Sequence, residues 1–117
     1  MEAGEDYEDI PLPPDAPQNA DYCLTVSGDS MEPYLPEGSM VYVLRDAPLA
    51  DFDVGIFIVD GIAYVKQFCR GYGGDIYLLS ANPARQDANI TIHASGNQRL
   101  DCRGKVILKK RLPEPVY

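Results

Sequence analysis

Two residues of the sequence have side chains that could act together in nucleophilic catalysis. Ser30 lies in the segment Ser27–Pro33, with Gly28 two positions before it, and Lys66 lies 36 residues later in an apolar segment. A serine hydroxyl is a weak nucleophile and needs a nearby base. Lysine can act as that base only as the neutral amine, and neutralising it near pH 7.4 costs about 4 kcal/mol from a reference pKa of about 10.4.

The strongest local pattern predicts a β-hairpin that carries Lys66. Val54–Val59 and Ile62–Phe68 are rich in β-branched and aromatic residues, and Asp60-Gly61, a preferred two-residue hairpin turn, joins them. Because side chains alternate along a strand, three apolar side chains would share the face of the lysine: Ile62, Tyr64 and Phe68. Burial among them would disfavour the ammonium form and lower the pKa of the lysine.

Short strands and tight turns are predicted on either side of Ser30. Tyr22–Val26 and Ser39–Leu44 are rich in residues that favour strands, and Met31–Tyr34 has the length of one helical turn. Gly28 permits a tight backbone turn, which would let backbone N–H groups point at a developing oxyanion.

The rest of the chain predicts more short strands and no long helix. Ten prolines and ten glycines interrupt the 117 residues. Further strands are predicted at Ile76–Leu79, Ile90–Ile92 and Lys105–Leu108. The fold class that follows is mostly β, with compact, strongly bent sheets and few or no helices.

The first 20 residues differ in composition from the rest. They contain six acidic residues, four prolines and no basic residue, which predicts an extended leader. Ile10 and Leu12 alternate with prolines, as in a polyproline segment or an edge strand lying along a folded body. We therefore divide the chain into a leader, 1–20, and one folded domain, 21–117.

The charge and the cysteines exclude several function classes. The net charge of −8 argues against nucleic-acid binding by these residues. No apolar run approaches the length of a membrane span and the acidic N-terminus is no secretion signal, so we expect a cytoplasmic protein with no membrane partner. Cys23, Cys69 and Cys102 have no metal-binding spacing and are expected as free thiols. No metal and no cofactor are predicted.

The Ser30 segment resembles the nucleophile segment of the LexA-like and phage-repressor-like serine peptidases. The similar residues are Val26–Pro33, followed by Pro36–Val41. Lys66, at the end of the predicted hairpin, is similar in position to the general base of that family.

Two later segments extend the resemblance. Leu78–Pro83 is similar to a family strand that ends in Ser-x-Asn-Pro, and Arg103–Val106 is similar to the last strand. The similarity runs over about residues 21–110 with order and spacing kept, which makes the second predicted unit a LexA-like peptidase and dimerisation domain.

The resemblance implies the mostly β fold of the LexA C-terminal type, which signal peptidases share. It also implies that Ser30 is the nucleophile, Lys66 the general base, and the backbone amides of Asp29 and Ser30 the oxyanion donors. Members of the family cleave an Ala-Gly or Cys-Gly bond in their own N-terminal linker. The one Ala-Gly pair of this chain, Ala3-Gly4, is therefore the candidate cleavage bond.

The function implied is the C-terminal regulatory and dimerisation domain of a LexA-like or phage-type transcriptional repressor. Such a domain forms a homodimer, and here the late strand Lys105–Leu108, with Ile107, is the expected contact because exposed strand edges need covering. DNA would be bound only through a helix-turn-helix domain outside this chain, and a recombinase filament could activate cleavage.

Two other functions are compatible with the same fold. One is a dimerisation and sensor module that does not cleave itself, and the other is a UmuD-type polymerase-accessory protein with a short acidic leader. Two further features have ordinary structural interpretations. His93 is expected at the surface near a strand end, and Lys109–Arg111 is expected to be a solvated tail.

Overall fold

One antiparallel sheet organises the protein. The computed structural model describes residues 7–10 and 12–114, with side chains from residue 12 onwards. Within these residues there are eight strands, β1 to β8, at Tyr7–Ile10, Tyr22–Val26, Met40–Leu44, Val54–Val59, Ile62–Arg70, Ile76–Leu79, Ile90–Ile92 and Leu100–Val106. Their order across the sheet is β1-β2-β3-β8-β4-β5-β6-β7. The predicted mostly β fold is confirmed.

Helical structure is confined to short 3₁₀ segments in the described part of the chain. They span Tyr72–Gly74 and Pro83–Ala88. Segments of this kind are common as connectors and rarely grow longer. The frequent glycines and prolines agree with this distribution, and none of the described helices is long and apolar enough to cross a membrane.

The β4–β5 hairpin forms as the sequence predicts. Val59 pairs with Ile62, and the two turn residues between them, Asp60 and Gly61, have φ values of 49° and 87°. Positive φ at both central positions is the geometry that matches the twist of a tight hairpin. The second strand continues two residues beyond the predicted end, to Arg70.

The last strand differs from its prediction. β8 covers Leu100–Val106 instead of Lys105–Leu108, although Asp101, Arg103 and Gly104 are poor strand formers. It pairs with β3 on one side and β4 on the other, and this pairing outweighs the intrinsic preference of its residues. β4 pairs with most of one edge of β8, but β3 pairs only with Lys105 and Val106 on the other, so Leu100–Gly104 is not paired with β3.

Apolar side chains cover both faces of the sheet. One core includes Val26, Met31 and, from β5, Ala63 and Val65. The other core lies on the alternate face of β5 and contains the buried side chains of Phe57, Val59, Phe68, Leu78 and Ile92, with Tyr64 packed against them. β5 is therefore enclosed on both faces, which buries even a polar side chain at its centre.

Part of the predicted leader belongs to the sheet. β1 pairs with β2 in antiparallel register, with Ile10 opposite Cys23 and Tyr7 opposite Val26. The expectation of an edge strand is therefore met over these four residues, while the division at residue 20 stays a prediction. The N-terminal end of β1 lies beside the end of β2 that leads into Ser27 and Ser30.

Candidate active site

Ser30 and Lys66 line one pocket. Its volume is about 180 Å³, and its other lining residues are Gly28, Asp29, Tyr64, Arg85 and Ala88. These residues come from the turn after β2, the middle of β5 and the 3₁₀ segment after β6. The fold thus brings together two residues that are 36 positions apart in the sequence.

Ser30 begins a short helical turn and is 6% exposed. The N–H of Glu32 donates to the carbonyl of Asp29 at 3.1 Å, and the N–H of Leu35 donates to the carbonyl of Met31 at 2.9 Å. Gly28, with φ of 79°, provides the left-handed conformation that joins β2 to this turn. Because the Met31 side chain is buried in the core, the residue after Ser30 is fixed in place.

Lys66 is 1% exposed, in agreement with the predicted burial. Its Nζ donates to Ser80 Oγ at 3.3 Å and lies 5.8 Å from the centre of the Tyr64 ring. Phe68 is also buried, but Ile62 is 40% exposed, because it directly follows the hairpin turn. The expectation that Ile62 contributes apolar surroundings is therefore wrong. The burial that remains penalises the charged form of a lysine.

The segment after β6, Ser80–Arg85, contacts both candidate residues. Its Ser80 accepts the hydrogen bond of Lys66, and the N–H of Asn82 donates to the carbonyl of Ser30 at 2.9 Å. Asn82 Nδ2 donates to the carbonyl of Asp29, also at 2.9 Å. The Ser-x-Asn-Pro pattern marked this segment in the sequence, but it did not indicate these contacts.

Arg85 is a pocket residue that the sequence did not indicate. Its guanidinium forms an ion pair with Asp29, and its Nε donates to Asp87 at 3.1 Å. Hydrogen bonds with Asp87 and with Asp29 raise the pKa of Arg85 above its ordinary value. Asp29 and Arg85 are 56 positions apart, so no local pattern could have paired them.

The remaining predicted residues lie elsewhere. His93 is exposed, with Nδ1 3.7 Å from Asp75 Oδ2, as expected for a surface histidine. Arg111 donates to the carbonyl of Asp51, so this tail residue is not simply solvated. Ala3-Gly4 lies outside the described residues.

The cysteines offer no metal site in the described part of the chain. Cys23 and Cys69 are buried and Cys102 is exposed, and all three are free thiols. No group of His, Cys, Asp and Glu residues within 7–10 and 12–114 could hold a metal ion.

A comparison with protein families agrees with the geometry. The family model described as Peptidase S24-like matches residues 1–107. The match includes all eight strands of the described residues and every residue named above as lining the pocket. It confirms the resemblance to the LexA-like and phage-repressor-like serine peptidases. No curated protein matches the chain significantly.

The contact between Lys66 and Ser80 predicts how two variants compare with the wild type in their free energy of unfolding. Ser80→Ala removes a hydrogen bond from a buried amine and should lower the free energy of unfolding by about 1–3 kcal/mol. The double variant Lys66→Met, Ser80→Ala replaces both polar partners and should be at least as stable as the wild type. Urea unfolding measures both differences.

The control for these two variants is Ser95→Ala, since Ser95 is exposed. It should change the free energy of unfolding by less than about 0.5 kcal/mol. If Ser80→Ala had the same urea midpoint of unfolding as the wild type, the 3.3 Å contact would not stabilise the buried amine.

Proposed function

Because the chain belongs to the Peptidase S24-like family, we propose that it is the regulatory domain of a LexA-like or phage-type repressor and a serine endopeptidase that cleaves its own chain. The observation that carries the proposal is that Ser30 and Lys66 line the same pocket and that Lys66 is only 1% exposed. Enclosure of this kind favours the neutral amine that a base requires.

The proposed reaction begins with the attack of Ser30 Oγ on the carbonyl carbon of the scissile peptide bond. The hydroxyl proton moves to the neutral Nζ of Lys66 as the C–O bond forms. The tetrahedral intermediate places its negative charge near the N–H groups of Asp29 and Ser30. The C–N bond then breaks, and the leaving amine takes the proton from Lys66. Water hydrolyses the acyl-enzyme, with the same amine acting as base.

The direction of β1 supports a cleavage bond near the start of the chain. Tyr7 lies opposite Val26, so the chain before Tyr7 enters the sheet on the side from which β2 leads to Ser30. Gly4 precedes Tyr7 by three residues and Ser30 follows Val26 by four. Because three extended residues span about 10 Å, a scissile bond at Ala3-Gly4 would lie within about 10 Å of Tyr7 along the chain.

The repressor role is supported by charge as well as by family. An excess of acidic residues suits a domain that leaves DNA binding to another part of the protein. We include homodimer formation in the proposal, because a repressor with a two-fold symmetric operator needs two copies. The proposed contact remains the late strand with the partly buried Ile107, which directly follows β8.

The Ser–Lys assignment predicts how cleavage depends on pH. The rate should rise with pH, because only the neutral amine accepts the proton, and should level off once Lys66 is neutral. Ser30→Ala and Lys66→Arg should each lower the rate by at least about 10⁴-fold, since the two residues act as a unit and a guanidinium stays protonated. Mass spectrometry of the chain, and of a peptide of residues 1–12 added to it, follows cleavage.

Two variants serve as controls for the dyad. Ser95→Ala and Lys105→Arg change an exposed serine and a partly exposed lysine, and both should cleave at the wild-type rate. Wild-type cleavage by Lys66→Arg would exclude Lys66 as the base. A rate that does not change between neutral and alkaline pH would exclude an amine base altogether.

The cleavage bond can be identified separately. Incubation at alkaline pH should yield a species that begins at Gly4, and Ala3→Trp should prevent its formation because a small residue precedes the bond in the family. Intact-mass measurement resolves the product, and Ala20→Trp is a control in the predicted leader outside the Ala-Gly pair. A product that begins elsewhere would exclude Ala3-Gly4 while leaving the dyad intact.

Dimer formation predicts a concentration-dependent mass in sedimentation equilibrium. The wild type should be dimeric at tens of micromolar, and Ile107→Glu should shift it to monomer, because a charge in an apolar contact is costly. Lys109→Glu changes a nearby exposed residue and should remain dimeric. A wild type that is monomeric at this concentration would contradict the proposed homodimer.

A further inference from the structure

Asn82 makes two hydrogen bonds to the backbone around Ser30. Its own N–H donates to the carbonyl of Ser30 at 2.9 Å, and its side-chain Nδ2 donates to the carbonyl of Asp29 at 2.9 Å. These two carbonyls belong to the peptide groups on either side of Ser30. One residue, 52 positions later in the chain, therefore contacts both peptide groups that flank the nucleophile.

The planarity of the peptide bond makes these contacts relevant to catalysis. The carbonyl of Asp29 and the N–H of Ser30 lie in one plane and, in a trans peptide, point in opposite directions. The carbonyl of Asp29 also accepts from the N–H of Glu32 at 3.1 Å, and the hydrogen bond from Asn82 adds a second restraint that holds the N–H of Ser30 away from Asn82. The same argument links the carbonyl of Ser30 to the N–H of Met31.

The side chain of Asn82 is itself fixed. Its Oδ1 accepts from the N–H of Ala84 at 3.0 Å and caps the 3₁₀ segment that begins at Pro83. Because Oδ1 is occupied by a donor, Nδ2 is the atom that faces the carbonyl of Asp29. The amide therefore has one orientation that satisfies both of its ends.

The same short segment also contacts the proposed base. Ser80, two residues before Asn82, accepts the hydrogen bond from Lys66 Nζ at 3.3 Å. Between them, the N–H of Ala81 lies 3.4 Å from Met31 Sδ. Three consecutive residues thus connect the helical turn of the nucleophile to the strand of the lysine.

We propose that Asn82 is a positioning residue, which orients the N–H of Ser30 and holds the hydroxyl of Ser30 in a fixed position relative to Lys66. The inference rests on the proposed peptidase function but adds a role that the dyad alone does not contain. Asn82 acts through the backbone of Asp29 and Ser30 and is not itself a proton donor or acceptor in the reaction. An oxyanion donor helps only if its direction is set before the charge develops.

The test is Asn82→Ser. A serine hydroxyl can still cap the N–H of Ala84, adds no charge, and is too short to reach the carbonyl of Asp29. With the peptide of residues 1–12 as substrate, kcat should fall about 10- to 100-fold while KM changes by less than about 2-fold. The pH at which the rate levels off should not move, because the contact between Lys66 and Ser80 remains.

A second measurement reports the rigidity of the backbone at Ser30. The ¹⁵N order parameter of the Ser30 amide should be near about 0.85 in the wild type and fall toward about 0.6 in Asn82→Ser. Asn97→Ser is the matched control, because Asn97 is exposed, and it should leave both kcat and the order parameter unchanged. Circular dichroism verifies that each variant is folded.

The two measurements separate the failure of this inference from the failure of the proposed function. A wild type that cleaves no peptide would overturn the peptidase function, and the order parameter would then decide the role of Asn82 alone. Asn82→Ser with the wild-type order parameter overturns the inference in either case. A folded variant with a reduced order parameter and the wild-type kcat overturns its catalytic part.

Discussion

The burial of one amine is the constraint on which the site depends. Lys66 lies at the centre of β5, a strand that is covered by apolar side chains on both faces. A charged ammonium group there would lose its hydration, and Ser80 Oγ accepts one hydrogen bond from the Lys66 amine. The enclosure that makes this position unfavourable for a charge would also favour the neutral amine that the proposed base requires. The two cores, the tight hairpin and the segment after β6 all contribute to that enclosure.

Residues near Ser30 in the sequence and residues far from it together hold the turn that carries its side chain. Gly28 allows the turn and Met31 fixes it to the core. Asn82 donates to the carbonyls of Asp29 and Ser30, and Arg85 forms an ion pair with Asp29. Each contact joins residues that pairing of the strands has already brought near. The pocket is therefore assembled from the turn after β2, from β5 and from the 3₁₀ segment after β6.

How far the sequence predicts this structure depends on the range of the interaction. The β4–β5 hairpin was predictable because Asp60-Gly61 and the residues beside it carry the information locally. β8 was misplaced because its pairing with β3 and β4 outweighs the weak preference of its residues. The residues of the proposed dyad could be named from a resemblance, but the contacts of Asn82 span 52 and 53 positions and need the folded sheet to exist.

The pairing of β1 with β2 has a consequence for the protein that remains after a cut at Ala3-Gly4. The cut would fall on the N-terminal side of Tyr7, so the larger fragment would retain β1 and all of its hydrogen bonds to β2. An uncovered β2 would offer unpaired N–H and C=O groups to other chains, which promotes aggregation. A scissile bond ahead of β1 would therefore leave β2 covered by β1 after cleavage, as it is before cleavage.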